Sequence, residues 1–291
     1  MARKEYENCL VLGGGAARGF AHIGVIQALE EAGFRPDLIV GCSMGALVGL
    51  FYADGVKAHI MRGIARTISG DPRKAARFIP IKPSASGLFD ASKIETFLED
   101  FFGARRFSDL GVDFACVAVD IEKEEELVFT QGLVVPAIRA SISIPGIFKP
   151  VRLGNRVLVD GGVLDPVPVK VAKKLGAKRI VAVNVVRHSP SETVFSEVKK
   201  PLPKLKHKML ADLVNEISHL TENNIFSIAQ KSVMAMQSAL VREIIASQEP
   251  DLLIDVPMES VDYLEFHKAD QAVEAGYKAG KQALKHSHFK A

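Results

Sequence analysis

The sequence predicts an α/β protein, a sheet whose strands alternate with helices that cover both of its faces. Three observations carry that reading. Short apolar runs of strand length recur between stretches of helical periodicity from one end of the chain to the other. Two of these runs, residues 8–12 and 38–40, each end in a glycine-containing turn and lead directly into a helix, as parallel strands joined by crossover helices do. The chain of 291 residues, 48% hydrophobic and 24% charged, suffices for one sizeable core, so a single domain over residues 1–291 is expected. No internal repeat is visible.

Taken in order, the first strand runs into Gly13-Gly14-Gly15-Ala16-Ala17-Arg18-Gly19. The helix that follows, over about 20–32, carries His22, Gln27, Glu30 and Glu31 within half of its circumference, so the other half faces a core. His22, inside that helix, reads as structural. The second strand leads into Gly41-Cys42-Ser43-Met44-Gly45, and residues 46–53 after it hold no charge, which predicts a buried central helix. Residues 56–82 change character. Lys57, Arg62, Arg66, Arg73, Lys74, Arg77 and Lys82 face Asp71 alone among the acids, with Ile60, Ile64, Ile68, Phe78 and Ile79 interleaved. Such a segment is either a solvated helical face or an amphipathic surface for anionic lipid. A loop at 80–87 precedes a helix over 91–102 with Ser92 as its N-cap.

Strands follow at 114–119 and 126–129, then a helix at 134–140. Residues 141–150 are too apolar for a solvent loop and predict a pocket wall, and 152–158 is a hairpin around Gly154-Asn155. A strand over 179–186 ends near His188. Residues 199–208, rich in Pro and Lys, read as an exposed linker. A long helical region (209–247), a last strand (252–256) and one or two helices (263–284) close the chain.

Composition excludes several classes. A net charge of +3 does not call for nucleic acid. Cys9, Cys42 and Cys116 lie in apolar surroundings, and an odd, sparse count argues against a disulfide framework and for a reducing compartment. The polar start of the chain is unlike a signal peptide, Ala2 occupies the place where myristoylation needs glycine, and no apolar run approaches membrane-spanning length. The expectation is a cytoplasmic protein, peripheral at most on the membrane.

Chemistry concentrates at three places. Ser43 stands between Gly41 and Gly45 on a sharp strand-to-helix turn, where a Cβ at either flanking position would clash. Its hydroxyl is then held at a helix N-terminus, whose free N–H groups favour a developing anion. The pentapeptide alone is weak evidence, since a glycine-flanked turn before a helix is common. The triple-glycine loop is the second place. Dinucleotide binding would require glycine where Arg18 stands and an acid at the end of the second strand, and neither is present. A loop whose amides converge on one anionic oxygen is the other use of such glycines. Parallel strands joined by one crossover bring Gly13, Gly14 and Gly15 to the same sheet edge as Ser43, which is the minimal acyl-transfer constellation. The third place is Asp160-Gly161-Gly162, a carboxylate on a tight turn or simply a turn cap. Two partners for Ser43 stay open: a Ser43–Asp160–His188 triad, and a dyad in which Asp160 itself takes the proton.

These blocks carry a resemblance. Gly13 to Gly19, Gly41 to Gly45, and Asp160-Gly161-Gly162, in that order and spacing, resemble the three signature blocks of the patatin-like phospholipases. Arg139-Ala-Ser-Ile-Ser-Ile-Pro-Gly-Ile-Phe148 and Pro166-Val167-Pro168 are also similar to that family, so the likeness spans residues 8–285. The resemblance implies a three-layer α/β/α sandwich with a mostly parallel sheet, and a Ser–Asp dyad with Ser43 as nucleophile and Asp160 as base. It implies an oxyanion hole at Gly13, Gly14 and Gly15 with Arg18 beside it, and neither metal nor other cofactor. Asp165 stands where many members carry asparagine. The expected activity is hydrolysis of carboxylic esters of lipids, of phospholipase A or lysophospholipase type, through an acyl-Ser43 intermediate. Transfer of the acyl group to another alcohol is the alternative, and a non-catalytic nucleotide- or phosphate-binding module using Gly13–Gly15 is the rival from another class. The expected partners are a lipid ester and, through residues 56–82, an anionic membrane surface.

Overall fold

The computed structural model describes residues 4–69, 92–186 and 225–287. His188, the linker expected at 199–208 and Arg73, Lys74, Arg77 and Lys82 of the basic segment lie outside the described residues.

Eight strands form one sheet: β1 (Tyr6–Leu12), β2 (Leu38–Cys42), β3 (Asp113–Asp120), β4 (Glu125–Phe129), β5 (Val151–Leu153), β6 (Arg156–Asp160), β7 (Ala177–Asn184) and β8 (Leu252–Asp255). Their order is β5-β6-β3-β2-β1-β7-β8, with β4 paired to β3 off that path. β1, β2, β3, β7 and β8 run parallel, whereas β4, β5 and β6 are antiparallel additions at one side. The helices are α1 (Ala21–Glu31), α2 (Met44–Ala53), α3 (Ala58–Ile68), α4 (Ser92–Phe102), α5 (Val134–Ser141), α6 (Val169–Leu175), α7 (Ile225–Gln248) and α8 (Ala269–His286).

Alternate residues of the same strand serve opposite faces. Leu10, Leu12, Ile39, Phe114 and Cys116 join a core shared with α1, α2, α3, α4, α5 and α8. Cys9, Val11, Leu38, Val40, Ala115 and Val117 join a second core with α6 and α7. Burial on both faces explains why the parallel strands read as unbroken apolar runs, and it makes the molecule a three-layer α/β/α sandwich. α6 went unforeseen in the sequence because it is short and follows two prolines, Pro166 and Pro168, which suggested continued loop.

α3 carries part of the basic segment. It is amphipathic, with Ala58, Met61 and Ala65 buried. However, Arg62 pairs with Glu274 at 2.7 Å and Arg66 with Asp270 at 3.3 Å, both on α8. These two cations tie α3 to α8, Arg62 largely covered and Arg66 still exposed.

One feature of the sheet decides the location of the site. β4 lies along one edge of β3 over residues 116–120. The other edge is shared: β2 occupies it up to Cys42, opposite Val117, and β6 arrives from the opposite direction and stops with Asp160 opposite Ala118. The tips of β2 and β6 therefore meet head to head, which places the residue after Cys42 beside Asp160.

Candidate active site

Ser43 follows β2 with φ 53° and ψ −123°, a conformation that costs a non-glycine residue on the order of 1–3 kcal/mol. Sharp reversal is needed to present the hydroxyl clear of the strand, and the flanking glycines permit it by close approach. A Cβ on Gly41 would lie 2.4 Å from the Ala46 Cα, and one on Gly45 would lie 2.2 Å from the Leu12 carbonyl oxygen. Both contacts are with backbone, which cannot step aside. The Ser43 amide donates to Ser141 Oγ at 3.0 Å, so the serine's own N–H is occupied. Ser141, at the end of α5, was not singled out from the sequence as a support for the serine.

Asp160 ends β6 and is 3% exposed. Its Oδ1 accepts from the Gly162 amide at 2.8 Å and lies 3.8 Å from Cys42 Sγ. Its own amide donates to the Ser143 carbonyl at 3.0 Å. Ser143 is in turn held by Arg139, whose Nη1 donates to Ser143 Oγ at 2.7 Å while Nη2 donates to the Lys149 carbonyl. The buried arginine thus braces the strand end that carries the carboxylate. Burial pushes Asp160 above the ordinary carboxylate range to about 6, opposed by Ser43, the Gly162 amide and Cys42. Among the described residues Oδ2 has no hydrogen bond of ordinary geometry.

The glycine loop divides in a way that the sequence did not reveal. The Gly13 amide donates to the Val183 carbonyl at 3.1 Å, and the Gly14 amide to the Pro166 carbonyl at 2.8 Å. Gly14 is packed against Ser43, since a Cβ there would lie 3.4 Å from the Ser43 Cβ. Neither amide is available to an oxyanion. Among the described residues the Gly15 and Ala16 amides have no acceptor, and Ala16, at φ 46°, turns the chain at that point. Arg18 is also differently employed. Its Nε donates to the Val261 carbonyl at 2.8 Å, Nη2 reaches Asp262 at 3.2 Å, and the guanidinium stacks 4.3 Å from the Tyr263 ring centroid. Of the expected oxyanion group Gly13, Gly14, Gly15 and Arg18, Gly15 alone keeps a group without a partner among the described residues, and the neighbouring Ala16 amide, not singled out from the sequence, is without one too. His22 is structural as expected: buried, its Nε2 donates to the Gly13 carbonyl at 2.7 Å. Burial lowers it to about 4, so it is a neutral imidazole that secures the loop.

Two cavities meet at Ser43. One, of about 150 Å³, is walled by apolar side chains including Leu47, Phe51, Ile64, Phe97, Ile144 and Phe148. The apolar stretch at 141–150 is thus a pocket wall, as its composition predicted. The other, of about 40 Å³, contains Asp160, Gly15 and Gly162 and is closed by Gln237 and Tyr263. Among the described residues no helix is long and apolar enough to cross a membrane.

The chain is similar to several known proteins. The chain is 29% identical to an uncharacterised NTE family protein of Mycobacterium bovis, over 94% of this chain and 90% of that protein. It is 30% identical to a lysophospholipase NTE1 of Coccidioides immitis, over 94% of this chain but 17% of that much longer protein. The crystal structure of VipD from Legionella pneumophila is similar at a TM-score of 0.48 and 13% identity, over 97% of this chain and 67% of that one. The family model for patatin-like phospholipases matches residues 10–173. That match runs through the glycine loop, the Ser43 turn and Asp160, more than half of the chain, and it makes this protein a member of the patatin-like phospholipase family.

Proposed function

We propose that the protein is a serine acyl hydrolase that cleaves carboxylic esters of lipids with Ser43 as nucleophile and Asp160 as general base. The observation that carries this reading is the head-to-head meeting of β2 and β6, which sets a strained, helix-capping serine against a buried carboxylate with one unbonded oxygen.

Asp160 Oδ2 takes the hydroxyl proton as Ser43 Oγ bonds to the ester carbonyl carbon. The charge on the carbonyl oxygen falls to the Gly15 and Ala16 amides, a type of contact worth about 3 kcal/mol per donor in the transition state. The tetrahedral centre collapses, the carbon–oxygen bond to the alcohol breaks, and the leaving oxygen takes the proton back from Asp160. Water then attacks the acyl-Ser43 carbonyl carbon with Asp160 again accepting its proton, the carbon–Oγ bond breaks, and Ser43 Oγ takes that proton back as the carboxylic acid leaves. A solvated carboxylate is too weak a base for a hydroxyl; burial narrows the gap.

One apolar cavity opens on Ser43 among the described residues, with room for roughly the first half-dozen carbons of a single acyl chain. A monoacyl ester such as a lysophospholipid is the substrate class that this supports, in keeping with the name of the Coccidioides relative. Attraction to anionic lipid would come from Lys57 and from the basic residues at 73–82, since Arg62 and Arg66 are already ion-paired.

A fluorophosphonate probe should label wild-type protein stoichiometrically, with Ser43 as the modified residue by mass spectrometry. A phosphate-binding module would not react, and absence of labelling overturns the hydrolase reading. For the acyl pocket, Ala65→Phe fills a fully buried position on its wall. Turnover of long-chain monoacyl esters should fall about tenfold or more while short-chain esters are retained, because the added ring fills cavity that only the longer chain must enter. Equal loss on both classes would place the chain elsewhere.

A further inference from the structure

Asp165 lies outside the chemistry described so far, yet it is 7% exposed. Its amide donates to the Gly161 carbonyl at 2.9 Å, so it closes the turn that begins at Asp160. Its carboxyl faces Glu126 of β4, and Asp165 Oδ1 and Glu126 Oε1 are both buried without a donor among the described residues. β4 sets Glu126 opposite Val119 of β3. Val117, two residues back and so on the same face of β3, supports Gly161 so closely that a Cβ there would lie 2.6 Å from Val117 Cγ2. The acid pair and the catalytic turn rest on one strip of β3.

Two ionised carboxylates in contact away from water repel each other, and a proton held between them converts repulsion into a hydrogen bond. We propose that Glu126 and Asp165 share a proton, and that this bonded pair is a latch which holds the Asp160-Gly161-Gly162 turn in its working position and lets go when the proton is lost. Neither side chain touches the reacting atoms; both are positioning residues that act through Asp160, so the inference rests on the role proposed for that residue.

The surroundings fix the sign. Burial, then the charge and hydrogen bond of Glu126, raise the Asp165 carboxyl, while Lys170 and Lys174 on α6 pull it down. Cys42, at the end of β2, is pushed far up by burial and then by Asp160 and Asp165, so it stays neutral. A carboxyl raised in the folded state contributes stability at low pH and loses it as pH rises through the raised value. The latch is closed in acid and at neutrality, and it opens on the alkaline side.

The test is the pH dependence of kcat/KM for a monoacyl ester, and separately of the thermal midpoint, in wild type, Asp165→Asn, Glu126→Gln and Asp165→Ala. In wild type both quantities fall on the alkaline side, kcat/KM by about tenfold per pH unit for a single controlling proton. Each amide variant supplies a permanent N–H donor to the remaining carboxylate, and the alkaline fall disappears from both profiles. Asp165→Ala removes the latch at every pH and lowers kcat more than it raises KM; asparagine at the same position restores it. An alkaline fall in the amide variants identical to that of wild type overturns the latch. So does an equal loss in Asp165→Asn at all pH values, which would mark a plain structural defect. If the hydrolase reading itself fails, no variant turns over ester, yet the difference between the melting profiles persists.

Discussion

Replacing Ser43 with alanine lowers kcat/KM for a monoacyl ester by about a million-fold, the scale seen when a nucleophile is removed from a unit whose other members cannot act alone. The residual rate should come from the oxyanion donors and substrate binding. Ser43→Ala keeps a Cβ at the strained position (φ 53°), so the elbow is neither relieved nor further crowded, and its amide still donates to Ser141. The thermal midpoint should accordingly fall by no more than about 2–4 °C, since the change removes one hydroxyl, whose partner is the Asp160 carboxyl. Steady-state kinetics, with fluorophosphonate labelling lost in parallel, checks the result. Loss of turnover with a large fall in melting temperature would show that the residue supports the fold, and retained turnover would remove Ser43 from the chemistry.

Asp160→Asn should lower kcat/KM by on the order of ten-thousand-fold, the cost seen when an amide replaces the carboxylate of a catalytic group while its shape is kept. Here the effect has a second side. Burial holds the Asp160 carboxyl at about 6, and the base must be ionised to accept a proton, so activity rises with pH through about 6 and falls about tenfold per unit below it. Stability runs the other way. A carboxyl raised by folding favours the protonated state, so its contribution is present in acid and is lost as pH climbs through about 6. At neutral pH the protein carries a buried carboxylate at a cost of a few kcal/mol. Asp160→Asn removes that charge while keeping an oxygen for the Gly162 amide, so the variant should melt higher than wild type at pH 7 and about the same at pH 4. Activity falling while stability rises is the signature of a destabilised catalytic group. His188→Ala provides the control: a dyad predicts little change in kcat/KM, whereas loss of several decades would establish a triad and overturn the assignment of Asp160 as the base.

Much of this site was legible because its chemistry is local. Gly41, Ser43 and Gly45 announce a turn in which the clash at Gly41 comes from Ala46, only five residues on. The order of strand, glycine loop, helix, strand and serine turn likewise dictates that β1 and β2 are parallel neighbours, because a single right-handed crossover leaves few alternatives. The apolar loop at 141–150 gave itself away by composition, since hydrophobic side chains without a periodic face must still find cover.

What the sequence by itself determined was therefore the fold class, the serine turn and the set of residues from which a site could be assembled. Tertiary structure alone decided how their roles were divided. Gly13 and Gly14 look the same as Gly15 in the sequence, but their amides are claimed by carbonyls of Val183 and Pro166, more than 150 residues away. Arg18 is drawn off by Val261 and Asp262 on the C-terminal segment, and Asp160 meets Ser43 because two strands of opposite direction end on one edge of β3. A backbone donor serves catalysis only if no other acceptor reaches it first, and which acceptors do so depends on distant segments that no local pattern records.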